Sequence, residues 1–444
     1  TNPPTTAQAE IDSFNRQSDK FNTKPPPEKL AAAITAAEVA LQAARYSLPA
    51  DWCSDAHILR CIHLELRKSG DKNPGAIFVR NGQKKKKDVI LHYGAEGVLA
   101  MVRERIDALL GTGTGCKSAP VRVFIKREAH KTAKALVKRW RLIWGVDLID
   151  QLVDRVIFGE MLDATYTAGA ALQIPLLPGF NFKRGGVNCL VDKYETTSRR
   201  WSSYDASSYD FTVAGWMLAA IKELNKRLCN NRDEHPSWER LLDAREIEAS
   251  TGSFVFSNGQ VCKKVSPGMQ LSGRLTTIDS NGKGMMLLRY AYDLEQGSTP
   301  CAEKSIFMGD DSVQEGLEPM DYIKWVADHG VNLTYEGRRT PEGAPQCGPF
   351  HEQNFCSMEF LKTDEGSWVG VPLNLEKTLF ALSHVEKGKM STLGDHLSSL
   401  CIEYAYHPVF PRLHALLRDK HPEKMRSVEF YRLVHTAHES AKSA

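Results

Sequence analysis

The 444-residue chain is 42% apolar and 25% charged, ample for a large core spread over two or three subdomains. A formal net charge of +3 does not by itself announce nucleic-acid binding, and no run approaches the roughly 20 apolar residues of a membrane span. There is no signal-peptide pattern, and the ten cysteines form no CxxC pair or Cys/His cluster at zinc spacing, which predicts free thiols in a reducing compartment.

In chain order, residues 1–26 are polar and proline-rich and predict an extended N-terminal arm. The opening Thr1-Asn2-Pro3-Pro4 carries no methionine, as in a processed product or a trimmed chain. Residues 28–48 are alanine-rich with helical spacing, so Leu30, Ile34, Val39 and Leu41 are expected to seat a helix on the body. Basic residues cluster at Lys84-Lys85-Lys86-Lys87, then at Lys126-Arg127, Lys131, Lys134, Lys138-Arg139 and Arg141. Such clusters can follow phosphates while acidic residues elsewhere balance the total, although the four-lysine run reads equally as a solvated loop tip. Residues 375–383, 390–406, 411–418 and 423–441 carry helical patterns. No internal repeat or strong linker marks an independent domain.

Four segments carry chemistry. Val123-Phe124-Ile125-Lys126-Arg127-Glu128 is an apolar strand ending in charge, and Arg139-Trp140-Arg141-Leu142-Ile143 restarts a strand after a basic loop; the plain alternative is an exposed basic hairpin. Residues 202–211 place Asp205 at a strand end, with Asp210 five residues on and a helix expected near Val213. Ser266-Pro267-Gly268-Met269-Gln270-Leu271-Ser272-Gly273 is a Gly/Ser-rich loop, followed by Thr277 and Asn281, which share a helix face at i,i+4. Asp210 is expected to accept a hydrogen bond from Asn281 or from a ligand hydroxyl. Ser305-Ile306-Phe307-Met308, Gly309-Asp310-Asp311 and Ser312-Val313-Gln314 read as strand, tight turn and strand. Two adjacent aspartates on a hairpin repel each other unless a cation is present. An isolated Gly-Asp-Asp is ordinarily a solvated turn, but the other segments stand in order around this one. In-line phosphoryl transfer uses two divalent cations roughly 3.5–4 Å apart, which demands carboxylates from distant segments brought into one open site.

With these motifs in this order over about residues 70–370, the chain resembles a positive-strand RNA virus RNA-dependent RNA polymerase, most closely the sobemovirus and polerovirus group. The resemblance implies an α+β right-hand fold of fingers, a palm with an antiparallel sheet, and a helical thumb. The implied division is an arm at 1–26, fingers and N-terminal connection at 27–190, a palm at 191–372 with a finger insertion at 225–262, and a thumb at 373–444. It implies template-directed nucleotidyl transfer from NTPs, with Mg²⁺ as cofactor and Mn²⁺ able to substitute. Asp205, Asp310 and Asp311 would be the catalytic metal ligands, Asp311 the less direct. Asp210, Ser272, Thr277 and Asn281 would select the ribose, while Lys126, Arg139 and Arg141 would face the triphosphate and Glu128 would hold that loop. Gly268 and Gly273 would meet the template. Cys356 and Ser357 would begin a primer-gripping hairpin, Cys356 as a packed small residue and not a nucleophile. Residues 69–75 would form a template-entry loop. Partners would be an RNA template, the nascent strand, NTPs, and viral replicase proteins or a protein primer, at replication complexes in the host cytoplasm or in the virion. Many of these polymerases use a lysine after the Asp-Asp hairpin as general acid; residues 330–349 contain Arg338 and Arg339 but no lysine, so that acid is unassigned.

Two other classes share part of this pattern. A reverse transcriptase uses the same palm logic, but Met308-Gly309 before the aspartates and the Asp210/Asn281 pair suit ribonucleotides; a deoxynucleotide assay separates the two. A non-catalytic RNA-binding scaffold on a degenerate palm would not keep every expected carboxylate, and a divalent-ion titration of incorporation decides that case.

Overall fold

The computed structural model describes residues 6–18, 23–113, 118–126, 128, 130, 132–196, 198–383 and 393–437. Arg127 and Lys131 of the basic cluster, the start of the helix expected over 390–406 and the end of that over 423–441 lie outside the described residues. The fold is α+β, with most strands paired antiparallel.

A central four-stranded sheet runs in the order Ser305–Met308, Asp311–Glu315, Trp201–Ser207, Asn332–Tyr335, each pair antiparallel. Toward the end of Trp201–Ser207 the side chains alternate: Tyr204 and Ala206 are buried while Asp205 and Ser207 are half-buried, the period-two pattern of a strand with one face on the core. Phe307, Tyr204 and Ala206 join the same core as Met285 and Leu288 of the helix Thr277–Glu295. Every residue of that helix from Asp279 to Asp293 is buried, so its charges need partners. They find them one turn away, Lys283 with Asp279 at 2.8 Å and Arg289 with Asp293 at 3.0 Å. The helix Pro27–Ala40 packs across it through Leu30, Ile34 and Ala37, with Leu41 following. Val39, expected on the same seam, is 69% exposed because it falls on the opposite face.

A second sheet is ordered Leu142–Gly145, Val121–Ile125, Ser253–Val255, Val261–Lys263. Val121–Ile125 pairs antiparallel with Leu142–Gly145 and parallel with Ser253–Val255. The expected extended arm is not what the structure shows over its described part. Residues Ala7–Ser18 are a helix docked on this sheet, with Phe14 edge-on to Trp144, Phe211 and Phe256 and tilted against Phe254. A 12-residue polar helix is marginal alone and gains its order from that docking, which local composition does not display. A two-stranded hairpin, Met358–Lys362 with Trp368–Pro372, leads to the helices Leu375–Ser383, Leu393–Glu403, Phe410–Lys420 and Val428–Thr436. Leu397, Cys401, Leu413, Leu417 and Tyr431 give this end its own small core. Among the described residues no helix is long and apolar enough to cross a membrane.

The four-lysine run is not a solvated loop. It opens the helix Lys86–Leu110, and Lys86 is buried, donating to Glu65 at 2.5 Å, Gln151 at 2.7 Å and Ser69 at 2.8 Å. Burial would raise the Glu65 carboxyl, but Lys86, Ser69 and Arg155 override it and hold it at about 2. Lys85 and Lys87 both reach Asp71 on the surface. Removing one partner of a buried pair strands the other charge, so Lys86→Ala is expected to lower unfolding free energy by about 3–5 kcal/mol. Lys84→Ala, at an exposed position, is expected to stay within about 0.5 kcal/mol of wild type. Urea titrations of both variants check this, and equal small effects would return the whole run to the solvated reading.

Candidate active site

The carboxylates meet at one end of the central sheet. Tyr204 pairs with Ser312, and continuing that register sets Asp205 opposite Asp311. Met308 pairs with Asp311, leaving Gly309-Asp310 as a two-residue turn with Gly309 at φ +64°. Glycine at that first position matches the twist of the flanking strands, and the turn lifts Asp310 toward Asp205. Burial and then the Asp205 charge push the Asp310 carboxyl above its ordinary range. Burial, Asp310 and Asp205, in that order, push Asp311 up to about 7, with Glu336 adding to the repulsion. Among the described residues no three acidic, His or Cys side chains form a ready-made metal cage. The site is a knot of mutually repelling anions opening on a cavity, which fits a hard cation that takes one or two carboxylates and completes its shell with phosphate oxygens and water.

Asp210 lies on the short helix Tyr209–Thr212, entered through Ser208 at φ +54°, and the longer helix begins at Gly215. Burial and then Asp310 push Asp210 up to about 7, against a hydrogen bond from Ser272 and the charge of Arg141. Among the described residues no hydrogen bond joins Asp210 to Asn281, which leaves the ligand hydroxyl as the expected partner of Asp210; Ser272 lowers the Asp210 carboxyl and Asn281 that of Asp310. The buried helix carries Asn281 directly under the Gly309-Asp310 turn, where a Cβ on Gly282 would stand 3.8 Å from the Gly309 carbonyl. The other end of that amide, Asn281 Oδ1, is buried without a hydrogen-bond partner. The Thr277 hydroxyl donates to the Leu271 and Arg274 carbonyls and so holds the helix start.

The Gly/Ser loop is fastened from both sides. Met269 and Gln270 donate main-chain hydrogen bonds to Val213 and Asp210, both at 2.8 Å. A Cβ on Gly273 would fall 1.8 Å from the Trp144 carbonyl, so only glycine permits this approach to the second sheet. Two anchors were invisible in the sequence. Arg274 runs into a buried network with Asp154 and Glu246, and Asp154 also takes Arg245. Lys264 directs its ammonium at the carbonyls of Ala249 and Gly268, both at 2.9 Å, and Met269 at 3.4 Å. It thereby holds Gly268 at φ +149° and Met269 at φ +64°.

An open cavity of about 550 Å³ lies between the carboxylates and a basic wall. Asp205, Asp210, Asp310, Ser272, Thr277 and Asn281 line one side, and Arg139 and Arg141 face them. Arg139 also donates to Ser207 at 2.9 Å and to Ser208, bridging the two sides. Lys126 is not among the lining residues. Its ammonium pairs with Glu128 at 3.0 Å, and Glu128 also holds Arg141 at 3.6 Å and Lys377 at 3.2 Å. Lys134, part of the basic cluster read from the sequence, completes the wall with His130 and Lys377, which the sequence did not single out; Lys377 reaches Glu128 across 249 residues. Asp311, Gly268, Gly273, Cys356 and Ser357 stand behind the lining. Cys356 and Ser357 form a two-residue turn with φ +52° and +58°, closed by the Phe355–Met358 bridge. Burial and then the Asp311 and Asp310 charges keep the Cys356 thiol protonated, as suits a packed group and not a nucleophile. Arg338 pairs with Glu352 and Arg339 with the Tyr335 and Gly343 carbonyls, so neither enters the cavity.

Comparison with known proteins points to one family. A family model described as viral RNA-dependent RNA polymerase matches residues 27–415. The chain is 28% identical to Protein P1-P2 of Pea enation mosaic virus-1 over 77% of its own length and 28% of that protein's. It is 26% identical to the RNA-directed RNA polymerase of Mushroom bacilliform virus, over 74% of the chain and 78% of that protein. Replicase polyprotein P2AB of Cocksfoot mottle virus is 30% identical over 54% of the chain and 24% of the polyprotein. The chain thus spans about a quarter of the length of several curated relatives it matches.

Lys264 gives this loop a pH signature. Burial and then Arg274 push its ammonium down to about 7 from 10.5. Because the folded value lies below the unfolded one, wild type gains on Lys264→Met most fully above about pH 10.5, and the gain is lost as pH falls to about 7. The difference in unfolding free energy between the two proteins is expected to widen from pH 7 to pH 10, with a slope of at most about 1.4 kcal/mol per pH unit. A flat difference would show that Lys264 titrates as an ordinary surface lysine.

Proposed function

The chain belongs to the viral RNA-dependent RNA polymerase family, and on that premise we propose that it extends an RNA strand on an RNA template by two-metal nucleotidyl transfer from NTPs. The observation that carries this reading is the cavity itself, lined by Asp205, Asp310, Asn281, Arg139 and Arg141, with the Asn281 oxygen buried at its edge without a hydrogen-bond partner. In this reading the central sheet and the helix Thr277–Glu295 are the palm, the second sheet with the helices around it the fingers, and the four C-terminal helices the thumb. Asp205 and Asp310 hold divalent ions, Mg²⁺ with Mn²⁺ as substitute, and Asp311 supports Asp310 from behind. Bound there, the ions supply charge neutralisation at the attacking 3′ oxygen and the leaving phosphate. Arg139 and Arg141 orient the triphosphate by donating to its oxygens. Asn281 Oδ1 accepts from the 2′-OH while Ser272 keeps Asp210 in reach of the ribose. The same acceptor favours this reading over a reverse transcriptase, since a deoxyribose would leave it unpaired. RNA template, nascent strand and NTPs are the partners proposed, and the replicase names of the relatives extend this to other viral replication proteins.

Nucleotide incorporation on a defined RNA, with Mg²⁺ and Mn²⁺ compared, tests the reading. Asp205→Ala, Asp310→Ala and the isosteric Asp310→Asn are each expected to keep less than about 1% of wild-type turnover while staying folded, since losing metal clamping costs several kcal/mol. Higher residual turnover in the three variants would remove these residues from the metal site. Asn281→Ala and Asp210→Ala are expected to narrow the preference for ribo- over deoxynucleotides by roughly 1–3 kcal/mol, the cost of an unpaired polar group. The ratio of incorporation efficiencies for a matched pair on one template measures it; a wild-type ratio in both variants places the sugar gate elsewhere.

A further inference from the structure

The helix Ala7–Ser18 lies outside the cavity, yet its buried face touches three of the segments that build the nucleotide wall. Ser13 is fully buried, and its hydroxyl donates to the Trp140 carbonyl at 2.7 Å and accepts from the Trp140 amide at 2.9 Å. Trp140 precedes the strand Leu142–Gly145, and its buried N–H and C=O, which belong to two successive peptide groups, both bond to the Ser13 hydroxyl. That residue separates Arg139 from Arg141, the two guanidinium groups facing the carboxylates.

Phe14 continues the contact. Its ring lies 5.6 Å from Phe211, the residue after Asp210, and 6.2 Å from Trp144, whose amide reaches the Ser272 hydroxyl at 3.5 Å. Glu10 is buried and accepts from the Ser257 hydroxyl at 2.6 Å and amide at 2.9 Å, which fixes the helix to the turn beyond Ser253–Val255. Asp12 pairs with Lys138 at 3.4 Å at the rim. The strand that carries Asp205 and the hairpin whose turn carries Asp310 belong to the other sheet.

We propose that the helix Ala7–Ser18 is a positioning element for the nucleotide wall, with Ser13 and Phe14 as its positioning residues; that the ligand is an NTP rests on the polymerase reading. The helix sets where Arg139 and Arg141 stand and braces the Asp210 and Ser272 segments from behind. It leaves the metal-binding carboxylates alone. Losing it therefore weakens nucleotide binding and spares the chemical step.

The test uses wild type, Ser13→Ala, Phe14→Leu and a chain lacking residues 1–18, read by NTP KM and kcat on primed RNA and by anisotropy of a fluorescent ATP analogue with Mg²⁺. A free peptide of residues 6–18 is then added to the truncated chain, with a doubly substituted peptide (S13A, F14A) as control. Ser13→Ala is expected to raise KM and the analogue Kd about five- to tenfold with kcat within about twofold, the scale of one or two lost hydrogen bonds. The truncated chain should lose more, and the natural peptide alone should restore it. Unchanged KM and Kd in the point variants would overturn the proposal. So would a joint loss of kcat and affinity that the peptide does not repair, since that is the mark of a helix that only stabilises the fold. Should the truncated chain not fold, the two point variants decide. A wild type that binds the analogue in this helix-dependent way but incorporates nothing counts against the polymerase reading and leaves the positioning role standing.

Discussion

Electrostatic repulsion among buried carboxylates governs this structure. Asp205, Asp310, Asp311 and Asp210 are brought close together; on top of burial, Asp205 raises Asp310 and Asp311, and Asp310 raises Asp311 and Asp210. A fold that needed only stability would separate them. Here the Gly309-Asp310 turn, the register of Trp201–Ser207 with Asp311–Glu315, and Asn281 beneath them hold the anions together. Groups raised above their unfolded values cost nothing below about pH 4 and the full amount above about pH 7. At neutral pH the folded chain therefore carries a strain that a bound cation would relieve.

Rigid surroundings keep that strain from relaxing. The helix Thr277–Glu295 is buried along almost its whole length, with each internal charge answered one turn away. Arg274, immediately upstream of it, is locked to Asp154 and Glu246. On the opposite wall, Glu128 gathers Lys126, Arg141 and Lys377, so one carboxylate joins the second sheet to the first of the C-terminal helices. An anionic ligand entering there competes with Glu128 for Arg141, a cation already half committed and 65% exposed in its side chain.

What the sequence made legible was local. Asp205, Gly309-Asp310-Asp311, the strand at 121–125 and the Thr277/Asn281 helix face follow from turn chemistry and periodicity within ten residues or so, and each lies where expected. What stayed hidden depends on contacts distant in sequence. Ser13 meets Trp140 across 127 residues and Lys377 meets Glu128 across 249, and no pattern within a segment encodes either. Lys86 shows the same limit in reverse. In sequence it is one of four lysines, and only Glu65, Ser69 and Gln151 distinguish it from its neighbours. Asn281 shares the helix face read for it and lines the cavity, but its closeness to Asp310 is decided by how far the turn folds over the helix, which no local pattern encodes.

The central claim is that the carboxylate knot is a strained cation site, and thermal unfolding of wild type and Asp310→Asn at pH 8, with and without Mg²⁺, tests it most directly. Asparagine keeps the size of Asp310 and can still accept from Asn281, but it removes one of the mutually repelling charges. Without Mg²⁺ the variant should melt above wild type; added Mg²⁺ should raise the wild-type Tm and leave that of the variant nearly unchanged. A variant that melts below wild type without Mg²⁺, together with equal Mg²⁺ shifts in both proteins, would contradict the account.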